Sequence, residues 1–237
     1  MDNAAYTTLT RQSGLLHEMQ VVANNIANAA TTGFRQEGVI FSEYVMSVND
    51  GPSLSMGQAN VRNTSYAQGI LSQTGGTFDL AIEGDAFFLI ETPQGERLSR
   101  SGAFSPNAEG DLVTMSGYRV LDAGGAPVFV PADAGKVSIS GDGTLSAGGS
   151  LIGQIGLVSS NEPAEMLRED GVMFWADAGY VPSENASILQ GFVEGSNVEA
   201  ITQLARMIEI QRAYEMGQSF LESEDQRVRQ AIESLTK

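Results

Sequence analysis

Apolar side chains recur in steps of four and three residues at both ends of this chain, and the stretch between does not read as helical. Toward the N-terminus the row runs Ala5, Leu9, Gln12, Leu16, Met19, Ala23, Ile26 and Ala30, with Gln12 its one polar member. Toward the C-terminus it runs Met207, Ile210, Tyr214, Gly217, Leu221, Glu224, Val228, Ala231 and Leu235. An average step of about 3.5 residues keeps an apolar seam facing a partner helix. Leu15, Val22 and Ala29 flank the first row; Ile201, Leu204, Ala205 and Ile208 adjoin the second. Each helix is therefore apolar over a wide arc, enough to touch more than one neighbour.

The spacing predicts helices over roughly residues 5–30 and 197–235. Asp2 or Asn3 can cap the first. Thr31-Thr32-Gly33 ends it, with Gly33 as a left-handed cap. Ser196 followed by Glu199 has capping-box spacing and opens the second. Asn24, Asn25 and Asn28 fit two roles: a buried Asn that fixes register in a helical seam, or a solvated polar face.

Residues 46–76 are rich in Ser, Gly, Asn and Gln and read as an extended connector. From Phe78 the period changes to two: Phe78, Leu80 and Ile82 alternate with Asp79, Ala81 and Glu83. A buried strand fits Phe87–Ile90. Further short strands fit Leu112–Thr114, Tyr118–Leu121, Val128–Val130, Val137–Ile139, Leu151–Val158 and Val172–Trp175, punctuated by Gly, Pro, Asn and Asp. The fold class is α+β: terminal helices forming a coiled-coil-like layer, plus a central antiparallel β-rich domain. Its segments are an N-terminal helix over 1–35, a polar connector over 36–76, a β domain over 77–190 and a C-terminal helix over 191–237.

Charge and composition exclude several functions. The net charge of −16 argues against nucleic acid and against an anionic membrane surface. Most of it, a net −12, falls on residues 41–190, so the terminal seams are nearly neutral. With no cysteine there are no disulfides, thiolate metal sites or cysteine nucleophiles. No apolar run approaches a membrane span, and no basic region followed by an apolar stretch marks a cleavable signal.

Catalytic, cofactor and metal residues do not emerge. His17, the sole histidine, sits on a helix flank without an orienting carboxylate and nucleophile. No serine occupies a G-x-S-x-G elbow. Asp79, Glu83, Asp85, Glu109 and Asp111 could pair as glycosidase carboxylates, yet each also fits a turn or strand edge. Ser140-Gly141-Asp142-Gly143-Thr144 resembles part of a calcium loop but lacks the further acidic ligands, and a tight hairpin turn suits it better.

Three ordered stretches resemble the bacterial flagellar rod and hook family. They are ANNIANAATTGFR from Ala23 to Arg35; EGDAFFLI from Glu83 to Ile90, continuing through RSGAFSPNAEGDLVTMSGYRVLD from Arg100 to Asp122; and GFVEGSNVEAITQLARMIEIQRAYE from Gly191 to Glu215. The central stretch sets the chain apart from the two small rod proteins, which lack that module, and the length from the hook protein, which carries an extra domain. The opening MDNAAYTTLTRQSGLL is most similar to the proximal-rod type, with a distal-rod or hook paralogue as the alternative in the same axial structure. A carbohydrate-binding or carbohydrate-active β protein is the remote one.

The resemblance implies a structural, non-enzymatic subunit of the basal-body rod, assembling in the periplasm into a helical tube that transmits torque. Its partners would be other rod proteins and copies of itself, with no cofactor, nucleic acid or membrane insertion. It also implies passage through the flagellar type III export apparatus without signal cleavage. Phe41 and Val45 have an aromatic-x-x-x-apolar spacing used by some export substrates of this class. The expected assembly residues are Leu9, Leu16, Met19, Ala23 and Ile26 on the first helix, and Ile201, Leu204, Met207, Ile208, Ile210, Tyr214, Leu221 and Val228 on the second. Asn24, Asn25 and Asn28 would set register.

Overall fold

A computed structural model of the chain describes residues 2–46, 54–183 and 185–235, with backbone alone for 2–5, 43–46 and 54–62. The chain separates into two compact units, each drawn from discontinuous stretches. One takes Met1–Ala29, Gln36–Ser65 and Val198–Lys237; the other takes Ala30–Arg35 and Tyr66–Asn197.

The first unit contains helix α1 (Asp2–Ala27), strands β1 (Glu37–Met46) and β2 (Leu54–Thr64), and helix α2 (Ala200–Leu235). The helices run antiparallel, as three side-chain contacts in reverse order require. Gln12 Nε2 donates to the Tyr214 carbonyl at 3.3 Å. Arg206 Nε donates to Glu18 Oε1 at 2.8 Å. Asn25 Nδ2 donates to Gln203 Oε1 at 3.2 Å. Leu15, Val22 and Ile210 are the buried centre of the seam, with Met19, Ile26, Met207, Ala213 and Tyr214 packed around them. Gln12, the polar break in the apolar row, is itself buried. Its amide satisfies a helix carbonyl, which lets it sit in the seam.

Helix α2 begins at Ala200, four residues past Ser196, and the Glu199 carbonyl accepts the Gln203 N–H at 3.1 Å. The connector expected over 36–76 is also built differently. β1 and β2 pair antiparallel from Glu37↔Thr64 to Met46↔Leu54, with a bulge at Ile40/Phe41. The Ser65 N–H closes the base on the Gln36 carbonyl at 2.8 Å. Ladder bonds join backbone groups whatever the side chains are, so a polar composition hides the pairing. A lone two-stranded ribbon is marginal in water, and this one packs against α1.

The second unit holds β3 (Leu71–Gln73), β4 (Leu80–Glu83), β5 (Phe87–Thr92), β6 (Gly95–Ser99), β7 (Phe104–Pro106), β8 (Leu112–Thr114), β9 (Arg119–Leu121), β10 (Val137–Ile139), β11 (Thr144–Ala147) and β12 (Ser150–Gln154). After these come β13 (Leu157–Ser160), β14 (Leu167–Glu169), β15 (Met173–Trp175), β16 (Tyr180–Pro182), β17 (Ser187–Gln190) and β18 (Phe192–Glu194). Pairing is antiparallel throughout the described strands. The main sheet runs β14-β15-β6-β5-β9-β8-β7, with β13 joining β5 and carrying β16. Val128–Val130, expected as a strand, makes only bridges and single bonds, among them the Val130 N–H to the Gly110 carbonyl at 2.7 Å. The run Leu151–Val158 breaks at Ile155-Gly156 because its halves serve different sheets.

β5 explains the continuous apolar run at its centre. Phe88 and Ile90 enter one core with Leu80, Ile82, Leu112 and Val120. Phe87 and Leu89 enter another with Leu98, Leu121 and Phe174. Successive strand residues point to opposite faces, so a strand covered on both faces must be apolar at every position. Phe88 is fully buried and meets the Phe104 ring edge-on at 5.0 Å between centroids. Phe88→Ala should therefore cost about 3–5 kcal/mol; a urea titration of the purified chain followed by circular dichroism measures it.

Candidate functional site

The assembly residues expected from the sequence gather on the helix pair of the first unit, and the second unit holds a buried ion cluster that the sequence did not single out.

On α1 the apolar arc divides. Leu15 and Val22 turn inward, with Met19 and Ile26 at the seam margin. Leu9, Leu16 and Ala23, the next residues round the helix, are exposed. α2 divides in the same way. Ile210 is 1 % exposed and Met207 and Tyr214 pack beside it, whereas Ile201 is 79 % exposed and Leu204, Ile208 and Val228 also face outward. Leu221 is half-buried. The expected assembly residues therefore split into an inner row that closes the subunit's own helix pair and an outer row without a partner inside it. Arg206 and Glu18 staple the inner row at 2.6 Å. That hydrogen bond to Glu18 raises the arginine's pKa above its ordinary value.

The three asparagines also part company. Asn25 is fully buried. Its Nδ2 donates to the Glu37 carbonyl at 2.7 Å and its Oδ1 accepts the Glu37 N–H at 2.9 Å. Together with the bond to Gln203, this amide joins α1, the start of β1 and α2. Asn24 is exposed, and Asn28 Nδ2 donates back to the Asn24 carbonyl at 2.9 Å and its side-chain oxygen at 3.0 Å. Phe41 and Val45 both lie on β1, opposite Ala59 and Ser55. Phe41 is exposed, and the side chain of Val45 lies outside the described residues.

In the second unit Glu194, at the end of β18, is 1 % exposed and grips two arginines. Its Oε1 is 2.8 Å from Arg35 Nη2 and its Oε2 is 2.8 Å from Arg100 Nε. The Gly69 N–H donates to Oε1 at 2.9 Å. Arg100 spends its other donors on the carbonyls of Gly84, Ala86 and Ile82. Arg35 donates Nη1 to the Ala67 carbonyl. Arg168 stacks between the rings of Phe34 and Phe174, at 4.5 and 4.8 Å from their centroids, and donates to the Arg35 carbonyl. Burial lowers the pKa of both cluster arginines despite the pull of Glu194, that of Arg35 to about 10.

Gly33 belongs to this cluster and not to the end of α1, which closes six residues earlier at Ala27. Its φ of +72° is left-handed, and a Cβ there would run into the backbone of Arg100 and Ser101. Its N–H donates to the Glu194 carbonyl at 2.8 Å.

Three of the carboxylates singled out from the sequence make local structural bonds. Asp142 accepts from Thr144 N and Oγ1 at 3.0 and 2.9 Å, which holds its carboxyl below the ordinary range and marks a turn. Asp79 accepts from Thr74 Oγ1 at 2.6 Å, and Asp111 pairs with Arg119 at 3.0 Å. Among the described residues no group of His, Asp and Glu could hold a metal ion, and no helix is long and apolar enough to cross a membrane.

Comparison with known proteins finds three matched segments. Residues 6–35 match the family described as flagella basal body rod protein. Residues 81–147 match the flagellar hook protein FlgE/F/G D1 domain, and 189–234 the flagellar basal body rod FlgEFG protein C-terminal. The flagellar basal-body rod protein FlgF of Caulobacter vibrioides is 38% identical, covering 100% of this chain and 99% of its own. FlgF of Mesorhizobium japonicum is 37% identical over 91% and 90%. The rod protein FlgG of Bacillus subtilis is 29% identical over 98% of each.

Each matched segment supplies one member of the ion cluster: Arg35, Arg100 and Glu194. Sequence reading missed all three, although a Glu closing the apolar pair Phe192-Val193 was a signal. Removing the carboxylate while keeping its shape leaves two buried cations facing each other. Glu194→Gln should destabilise the chain by about 3–5 kcal/mol, read as a lowered urea midpoint with unchanged slope.

Proposed function

Since the chain belongs to the flagellar basal-body rod family and is most like its proximal-rod members, we propose that the outer apolar rows of its helix pair are the surfaces through which it builds the rod. It is a structural subunit of the flagellar basal body and assembles there with other rod and hook components. In our reading the helices form an inner coiled layer of a helical tube, and this layer carries torque.

The observation behind this reading is the division of each apolar arc. Leu15, Val22 and Ile210 already fill the subunit's own seam, yet Leu9, Leu16, Ile201, Leu204 and Ile208 remain in solvent. Contiguous exposed apolar rows are uncommon on proteins that work as monomers. The antiparallel register adds to the argument. With Gln12 opposite Tyr214, α1 runs out near residue 224 of α2. The end of α2 then overhangs by roughly 15 Å, carrying exposed Val228, Ile232 and Leu235. An overhang of that kind needs neighbouring subunits to cover it. Asn25, by contrast, sets register inside the subunit.

We further propose that the chain leaves the cytoplasm through the flagellar export apparatus, with Phe41 and Val45 among the side chains recognised. Replacing both by Ala should reduce the secreted fraction several-fold while the purified protein keeps its circular dichroism spectrum. Undiminished secretion removes these residues from the reading. Leu16→Asp or Ile208→Asp should abolish motility and rod assembly and leave the thermal transition of the β unit in place, because both positions are solvent-facing in the subunit. Swimming cells with intact rods would overturn the surface assignment.

A further inference from the structure

Three Asp-Gly pairs occur in the chain: Asp50-Gly51, Asp142-Gly143 and Asp170-Gly171. The first lies outside the described residues. Such a pair carries its own electrophile and its own nucleophile. The electrophile is the side-chain carboxyl carbon of Asp. The nucleophile is the backbone nitrogen of the next residue, which glycine leaves unshielded by a side chain. Whether the two react depends on how firmly the fold holds them, and the two described pairs are held very differently.

Around Asp142-Gly143 the reacting groups are engaged. The Asp142 carboxylate accepts from Thr144 N and Oγ1 at 3.0 and 2.9 Å, which keeps it ionised and resistant to attack. The Gly143 N–H donates to the Ser140 carbonyl at 3.0 Å, and the Gly143 carbonyl accepts the Ile155 N–H at 2.8 Å. Gln154 Nε2 donates to the Asp142 carbonyl at 3.0 Å. The space is filled as well, since a Cβ on Gly143 would lie 2.5 Å from the Ile155 carbonyl oxygen.

Asp170-Gly171 sits in the exposed turn between β14 and β15. Among the described residues neither the Asp170 carboxylate nor the Gly171 N–H makes a hydrogen bond. A Cβ on Gly171 would meet nothing within 4 Å. The turn is held by its carbonyls instead. The Val172 N–H donates to the Asp170 carbonyl at 2.9 Å, and Arg168 Nη1 donates to that of Gly171. Asp170 is also the one non-glycine residue of positive φ among those described, at +43°. That left-handed conformation is strained for an L-residue, and a longer backbone relieves it.

We propose that Asp170-Gly171 is a site of spontaneous isoaspartate formation in the folded chain, while the fold protects Asp142-Gly143 from the same reaction. The Gly171 nitrogen adds to the carboxyl carbon of protonated Asp170, and the carboxyl hydroxyl leaves as water with the amide proton. The product is a five-membered succinimide. Solvent water then opens the ring. Cleavage of the new C–N bond restores aspartate. Cleavage of the original peptide bond leaves the main chain running through the side-chain carbons, with the former backbone carbonyl as a free carboxylate and one proton released. Arg168 bears the consequence. It lies between the rings of Phe34 and Phe174 and is tied to the Gly171 carbonyl. A turn one atom longer moves that carbonyl and loosens β14, the edge strand of the main sheet.

The test incubates the full chain for several weeks at neutral pH, native and in parallel in concentrated urea. Isoaspartate is counted by enzymatic methyl transfer from S-adenosylmethionine and located by peptide mapping. In the native chain it should accumulate at Asp170 several-fold faster than at Asp142, and in urea the two sites should react at similar rates. Asp170→Glu, whose ring would have six members, should lose the signal at that position. Hydrogen exchange over Leu167–Glu169 should be faster in the aged native chain and unchanged in aged Asp170→Glu. No isoaspartate at Asp170, a native rate at Asp142 equal to or above it, or the same preference in urea overturns the proposal. Unaltered exchange in β14 of the isomerised chain overturns the consequence drawn for Arg168.

Discussion

Glu194 has almost no contact with water, and two guanidinium groups and a backbone N–H take the place of its hydration. A buried carboxylate survives only if such partners are all present. That requirement draws together a segment from the N-terminal motif, a strand end from the central module and the last strand before α2. The surrounding backbone is shaped to deliver it. Gly33 is left-handed against the backbone of Arg100 and Ser101. Gly69 comes so close to the Gly195 carbonyl that no side chain fits between them. Stability alone does not justify such an arrangement, since a well-packed apolar cluster serves as well or better. What it provides is uniqueness: a slipped strand leaves a charge unpaired.

The helix pair follows the opposite logic. Its inner seam is apolar and small, centred on Leu15, Val22 and Ile210, and its polar contacts are few and specific. Packing of this kind defines a neighbour without exhausting the helix surface. The outer rows stay exposed, and in the proposed assembly it is through them that the subunit meets its neighbours. Asn25 shows how the two demands are reconciled. Its three bonds lock α1 to the start of β1 and to α2, so the exposed rows are presented at a fixed rotation.

The sequence carried the element types well where burial was one-sided or complete. β8 (Leu112–Thr114) and β10 (Val137–Ile139) fall where the pattern put them. The run Phe87–Ile90 is a strand between two cores, as continuous apolarity implied. It failed where backbone bonds dominate. The pairing of Glu37–Met46 with Leu54–Thr64 is held by a ladder that no side-chain period announces. Ser196-x-x-Glu199 had the right spacing for a cap, yet α2 starts at Ala200.

Periodicity by itself determined that both ends are amphipathic helices, that the middle is antiparallel β, and that the apolar arcs are wider than one partner needs. It could not say which part of each arc turns inward. Neighbouring positions on a helix are only about 100° apart, so Leu15 and Leu16 look equivalent until a second helix is placed against one of them. Nor could it find the ion cluster. Arg100 and Glu194 stand 94 residues apart, and only the folded chain brings their charges together where water cannot screen them.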